Sequence, residues 1–343
     1  MRARIRDSLD SVRRRPLRAG LALLAVGLAV GACLSGADPT GPLGPTTVRD
    51  GDEIVVCGAL FDIGTPVVLW SDPGGYDAYS ELPRFEEPAL GPDGKPVRAR
   101  RYGSRRDLPA GVAARVAADG WSREDLAAVV RQFVVHYDVC GTSRQCFKIL
   151  QDKRGLSVHF MLDVDGTIYQ TLDLKERASH AGAANDASIG VEVAHIGAYP
   201  APGHPVMRSW YGADEDGLRV TYPKWMTELG IRTPGYVPRP ATPELHEGEI
   251  HGKRAWMHDY TKEQHEALAR LTGALSRILP GIRLEVPRDG AGRPRRDALS
   301  EAERRGFAGV LGHYHLSTNK IDPGPALDWQ RLLDRAGATR REL

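Results

Sequence analysis

The chain has 343 residues, 26% charged and 41% hydrophobic, with a formal net charge of +2. From about residue 51 onward it is long enough to bury roughly three quarters of its extended-chain surface, so a single core suffices. Residues 1–32 hold seven arginines and two aspartates, a net +5, which leaves the remainder at −3. A slightly acidic body has no general electrostatic attraction for nucleic acid, and that class is excluded.

Arg2, Arg4, Arg6, Arg13, Arg14, Arg15 and Arg18 form a basic start. Leu21 to Ala32 follow as an apolar run too short to span a bilayer comfortably. That order is a targeting pattern and is set aside from the fold. The run ends Val30-Gly31-Ala32-Cys33, which resembles the lipobox of a bacterial lipoprotein. On that reading residues 1–33 are a signal peptide with lipobox and Cys33 carries lipid. The protein is then exported to the cell envelope, attached to a membrane through its N-terminal lipid anchor and facing the periplasm. Arg14-Arg15-Pro16-Leu17-Arg18 also loosely resembles a twin-arginine export signal. An uncleaved anchor, or ordinary secretion with an incidental cysteine, are the competing readings. Residues 34–50 read as a linker, and 51–343 as one domain.

Short runs rich in Val, Ile, Phe or Tyr predict strands at 54–57, 66–70, 132–138, 157–163, 167–171, 188–195 and 307–313. Asp163-Val-Asp165-Gly166 is a turn, so 157–171 reads as a hairpin. A helix beginning at Ser122 feeds into the 132–138 strand. Another runs from Thr261 to Leu279, with Thr261 and Gln264 spaced as a capping box and Pro280 after its end. Further helices are expected at 297–305 and 327–336. Helices interleaved with strands argue an α/β layer structure around a mixed sheet. Residues 198–256 break the pattern: rich in Pro, Gly, Trp and Tyr, they read as a long insertion of ordered loops flanking the active cleft.

Cys140-Gly-Thr-Ser-Arg-Gln-Cys146 is a short loop in an exported chain, where a disulfide is expected. A structural zinc pair is the rival, but no second cysteine pair completes it. Cys57, in Ile54-Val55-Val56-Cys57, reads as a free core thiol in a strand.

Three segments carry the chemistry. Phe133-Val134-Val135 leads into His136, which projects at the carboxyl end of a buried strand, where functional residues of α/β folds gather. Ser188-Ile189-Gly190-Val191-Glu192-Val193 embeds one carboxylate in a strand. Gly312-His313-Tyr314-His315 continues through Lys320 and Asp322 to a Pro323-Gly324 stop. Two imidazoles and a carboxylate, with a spare acid and a spare lysine, are the parts of a hydrolytic zinc site that keeps three protein ligands and leaves the fourth position for water. Each part has a plainer reading: a core histidine, a helix-capping Asp-Pro-Gly, a solvated lysine. His313 and His315 alternate along an extended segment, so either serves as the ligand.

Val134-Val135-His136, Ser179-His180-Ala181-Gly182, Asn185 to Glu192, Gly312-His313 and Lys320-Ile-Asp322-Pro-Gly occur in the order found in type 2 N-acetylmuramoyl-L-alanine amidases. The chain resembles that family over roughly 130–200 and 307–329. The resemblance implies the α/β fold with a mixed central sheet flanked by helices that those enzymes share with peptidoglycan recognition proteins and a small phage amidase. It implies zinc held by His136, His313 and Asp322, with Glu192 and Lys320 as catalytic residues. Gly312 favours His313 over His315. Relatives lacking this glutamate use a tyrosine where Val158 stands, so the general base rests on Glu192. His180 and Asn185 are expected to line the substrate groove, with His180 alternatively behind a ligand, and His159 to pack in the core. The Cys140–Cys146 spacing is similar to a disulfide in the recognition proteins.

The implied activity is hydrolysis of the amide between N-acetylmuramic acid and L-alanine, with peptidoglycan or muropeptides as partner and the protein a monomer. The alternatives are a non-catalytic peptidoglycan-binding module on the same fold, or an exported zinc amide hydrolase with another substrate.

Overall fold

All six side chains of Gln132–Tyr137 are buried, the mark of a strand covered on both faces and therefore central in its sheet. The computed structural model describes residues 43–339; the leader and Cys33 lie outside the described residues. In chain order the strands are β1 Glu53–Val56, β2 Ala59–Asp62, β3 Val67–Leu69, β4 Tyr102–Gly103, β5 Gln132–Tyr137, β6 Phe160–Leu162, β7 Ile168–Gln170, β8 Arg177–Ala178, β9 Ser188–Val193, β10 Tyr211–Asp214, β11 Gly217–Val220, β12 His246–Ile250, β13 Lys253–Met257 and β14 Gly309–Gly312. The α-helices are α1 Ala110–Asp119, α2 Arg123–Ala127, α3 Ser143–Phe147, α4 Pro205–Trp210, α5 Lys262–Ile278, α6 Glu301–Gly306 and α7 Trp329–Thr339.

Six strands make the central sheet in the order β14-β5-β9-β6-β7-β3. β14, β5, β9 and β6 run parallel, β7 is antiparallel to β6, and β3 is parallel to β7. The sheet is mixed, as the interleaved pattern implies. Alternation along the strands sends Phe133, Val135, Val191 and Val193 into one core with Leu268, Leu271 and Leu275 of α5 and Leu332 and Leu333 of α7. Val134 and Leu311 take the opposite face, against Ala181 and Ala184. His136 and Glu192 share that second face by parity. Register does the rest: the Cα of His136 pairs with that of Glu192, and Gly312 pairs with Val135.

The capping box at α5 forms as its spacing predicts: Gln264 N–H donates to Thr261 Oγ1 at 3.1 Å, and the Gln264 side chain returns to the Thr261 backbone. Both caps also reach outward. Thr261 Oγ1 donates to the Val164 carbonyl at 2.7 Å and Gln264 Nε2 to that of Ala194, locking the helix to the hairpin turn and to the end of β9. α6 starts later than the predicted 297 because a second capping box, Ser300 with Glu303, fixes its first turn.

Several expectations change. Of the segment read as a linker, Thr46 bridges to Leu60 and Arg49 pairs with Glu53 and Asp72. Cys57 sits past the end of β1, in a left-handed turn at φ 51°, with its thiol donating to the Ser122 carbonyl at 3.4 Å. It is free, but only partly buried. Cys140 and Cys146 are also free thiols, so the expected disulfide is absent. The loop at Cys140 is held by Asp138 Oδ1, which accepts from Cys140 N–H and Gly141 N–H. Cys146 is fixed inside α3, and the two thiols meet as a hydrogen-bonded pair. That hydrogen bond lowers the Cys140 thiol, but burial together with the charges of Asp138 and Glu192 outweighs it, and burial raises Cys146 well above the usual thiol range; both favour the protonated form. Finally, residues 198–256 are not irregular. They contain α4 and the hairpins β10–β11 and β12–β13.

Replacing Thr261 by Ala removes the cap and a buried bond to the β6–β7 turn. Stability should fall by about 1–2 kcal/mol, read as a lower urea midpoint with an unchanged slope; an unchanged midpoint would refute the role given to this cap.

Candidate metal centre and active site

Because β14, β5 and β9 are adjacent and parallel, their carboxyl ends open on one side of the sheet. His136 lies at the end of β5, and His313 begins the single 3-10 turn that follows β14. Asp322 comes back to both. His136 Nδ1 is 3.0 Å from His313 Nδ1 and 3.0 Å from Asp322 Oδ2, and His313 Nδ1 is 2.9 Å from the same oxygen. Three donor atoms thus form a near-equilateral triangle. Among the described residues this is the group of three able to share one metal ion.

The outer side of His136 tests whether a cation fits. Its Nε2 is 3.0 Å from His180 Nδ1, and His180 Nε2 is 3.3 Å from Ser188 Oγ. With each ring protonated on Nε2, His136 donates to His180 and His180 to Ser188, and every partner is satisfied. That leaves the lone pair of His136 Nδ1 facing a carboxylate oxygen at 3.0 Å, two electron-rich atoms in contact. A cation at the centre of the triangle removes the conflict. Tetrahedral zinc with bonds of 2.0–2.2 Å holds its ligand atoms about 3.3–3.6 Å apart, a few tenths of an ångström wider than the triangle here. The donor set of two imidazoles and one carboxylate fits such an ion.

Electrostatics agree. Burial, aided by His313, pushes His136 down to about 4, so the ring is neutral and ready to coordinate. Burial raises Asp322, but the His136 and His313 rings set against it outweigh that and hold the carboxyl well below its usual range. Burial first, then the charges of Asp322 and Asp138, push Glu192 well above the usual carboxylate range, with Lys320 opposing.

His313 and His315 separate cleanly. The segment does not continue extended but coils at His313–His315. His315 is fully buried, its Nδ1 accepting from Gly312 N–H at 2.9 Å and its Nε2 donating to the Arg295 carbonyl at 2.9 Å. Neither nitrogen is left for a metal. His159 is likewise spent in the core: it accepts from Gly190 N–H at 3.2 Å and donates to the Glu176 carbonyl at 3.1 Å. Val158 is buried beside it.

A cavity of about 140 Å³ opens beside the triangle, lined by His136, His180, Glu192, His313, Lys320 and Asp322 together with Asp138, Cys140, Arg154 and Ser179. His180 reaches its wall while also standing behind His136. Asn185 is not in the lining. Its Oδ1 accepts from His180 N–H and Ala181 N–H, shaping the turn that presents His180. No residue of 198–256 lines the cavity itself; Trp210 and Tyr222 pack on the loop at Gly141, next to the lining residue Cys140. A larger open groove, about 1380 Å³, lies at Arg288–Asp297 and Pro325–Arg331 and contains no member of the triangle.

Sequence reasoning missed Asp138 and Arg154. Asp138 follows His136 by two along an extended run, so alternation alone would have placed it on the same side. Its Oδ2 is buried without a partner, and burial raises the carboxyl to about 7 against four backbone hydrogen bonds. Arg154 follows an irregular π-helical turn, Lys148–Lys153, that no periodicity announces.

Residues 126–325 match the family model described as N-acetylmuramoyl-L-alanine amidase. No curated protein matches. Among solved structures, an AmpD selenomethionine derivative is 18% identical with a TM-score of 0.31, covering 70% of this chain and 92% of that one. AmiD from E. coli, in complex with the substrate anhydro-N-acetylmuramic acid-L-Ala-D-γ-Glu-L-Lys, is 16% identical with a TM-score of 0.34, covering 72% and 65%. The endolysin LysCS from Clostridium intestinale URNW is 14% identical with a TM-score of 0.32, covering 62% and 86%.

Changing His313 to Ala should release zinc from the purified protein. His315→Ala should keep it, while losing about 1–3 kcal/mol of stability from two orphaned backbone groups. Zinc titration with a thermal melt reads both, and the opposite pattern would exchange the two roles.

Proposed function

The chain belongs to the N-acetylmuramoyl-L-alanine amidase family and hydrolyses the amide between N-acetylmuramic acid and L-alanine in peptidoglycan; from that premise we propose that it does so with zinc held by His136, His313 and Asp322. The observation carrying this reading is the triangle of donor atoms 2.9–3.0 Å apart, one strand away from a carboxylate in register with His136.

Zinc bound there would supply Lewis acidity, lowering the pKa of a coordinated water to about 7. The remaining work falls to the chain's own groups. Glu192 takes the proton of the attacking water and returns it to the leaving amine. Its burial suits this, because a carboxylate poised above its ordinary range is a better base near neutrality. Lys320, also in the cavity wall, offers a fixed positive charge to the oxygen of the scissile carbonyl as it becomes anionic; one such donor is typically worth about 3–4 kcal/mol. His180 fixes the tautomer and plane of His136 through the Nε2 contact. The products are a glycan strand and a free stem peptide.

The basic start, apolar run and Cys33 support export, with a lipid anchor holding the enzyme on a membrane facing the periplasm. No helix among the described residues is long and apolar enough to cross a membrane.

Zinc content and stem-peptide release from muropeptides, measured with and without chelator, test the reading: near-stoichiometric zinc and chelator-sensitive release are expected. A protein that cleaves equally well when stripped of metal would overturn the zinc assignment. Glu192→Gln should lower kcat by about 10²–10⁴-fold with zinc retained, and a variant of normal rate would remove Glu192 from the mechanism.

A further inference from the structure

Residues 198–256 stay out of the cavity, yet one part of them grips the loop that carries Lys320 and Asp322. The hairpin β12–β13 turns at His251 and Gly252, with φ of 53° and 71°. Two consecutive positive φ values make the tight turn that suits a right-twisted hairpin, and the first position ordinarily favours Asn, Asp or Gly. A non-glycine residue there is uncommon, although histidine is among the better tolerated, and the side chain it presents serves another purpose.

The purpose is visible in its contacts. His251 Nε2 donates to the Lys320 carbonyl at 2.9 Å, and the His251 backbone N–H donates to the Arg296 carbonyl at 3.0 Å. Around them the hairpin and loop interlock without room to spare. A Cβ at Gly248 of β12 would lie 2.6 Å from Pro325 Cβ, and one at Gly324 would lie 2.5 Å from Met257 Sδ of β13. Just beyond the hairpin, Tyr260 Oη donates to the Pro323 carbonyl at 2.8 Å. The loop's own ties near Lys320 are slight: Lys320 N–H to the Ser317 carbonyl at 3.2 Å, and Asn319 N–H to Ser317 Oγ at 3.3 Å. Thr318 and Asn319 are exposed.

We propose that His251 is a positioning residue for the amidase reaction, its imidazole fixing the Lys320 peptide so that the lysine side chain is held toward the cavity. This rests on the charge-stabilising role given to Lys320 above. Pinning a carbonyl on an otherwise lightly tied loop restricts the φ and ψ flanking it, and these set where the side chain points. Misplacing a reacting group by about 1 Å can cost 10²-fold in rate, so a single hydrogen bond at this place has leverage on kcat.

The turn supplies its own control. His251→Gly suits a φ of 53° better than histidine does, so it deletes the imidazole without endangering the hairpin. The expected result is a thermal midpoint no lower than that of the parent, full zinc content, KM within twofold and kcat reduced about tenfold. His251→Gln, which keeps an N–H of similar reach, should recover part of the rate. In a Lys320→Ala background His251→Gly should cost nothing further, since both changes then act through one group. An unchanged kcat in His251→Gly, beside a large loss in Lys320→Ala, overturns the positioning role alone. So does a full additional loss in the double variant, or a loss that tracks zinc. A normal rate in Lys320→Ala overturns the role of the lysine itself, and the positioning role with it.

Discussion

Register between three parallel strands is the constraint on which the site depends. β5 pairs with β9 so that His136 faces Glu192, and with β14 so that Gly312 sits beside Val135. Side chains alternate with a period of two, so a slip of one residue in either pairing would turn a functional group into the α5–α7 core and a valine into the cavity. That penalty is what fixes the register. Phe133, Val135, Val191 and Val193 are fully or almost fully buried against the helices, and none of them tolerates the opposite face. The hydrophobic core and the active site are therefore specified by the same alternation.

The polar face so created is unusual in how many imidazoles it buries neutral. Burial lowers His136 to about 4, His159 to about 3 and His315 to about 4. A neutral ring offers one donor and one acceptor, and His159 and His315 each use both. His159 and His315 tie backbone groups together on either side of the site. His136 differs in that its inward nitrogen meets another electron-rich atom rather than a donor. Structural and coordinating histidines are distinguished here by what faces the second nitrogen, not by exposure or sequence context.

Loops carrying reacting groups need support from rigid elements, and this fold supplies it from two directions. On one side the sheet positions His136 and Glu192 directly. On the other, Asp322 and Lys320 ride on a loop whose stiffness comes from outside the sheet: from Tyr260, from the Trp329–Tyr314 hydrogen bond at 2.7 Å, and from the β12–β13 hairpin. The long segment after β9 thus packs against the loop that carries Lys320 and Asp322 without entering the cavity.

What the sequence determined by itself was everything encoded in local periodicity and in spacing. Runs of β-branched residues located the six strands of the main sheet to within a few residues, and Thr261 with Gln264 located the start of α5. The group His136, His313 and Asp322, which could hold a metal, was legible because its residues stand at strand ends and beside a Pro-Gly stop, positions that short-range pattern marks. Tertiary structure alone decided the remainder. The exclusion of His315, toward which Gly312 only hinted in sequence, depended on a coil at 313–315 and on two backbone partners, Gly312 and the more distant Arg295. Asn185 shapes a turn instead of lining the cavity, and Cys140 and Cys146 meet as free thiols. The insertion's two hairpins carry little hydrophobic alternation because much of their surface meets solvent or a neighbouring loop. Contacts such as His251 with Lys320 join residues 69 positions apart, and no pattern within either segment contains the other.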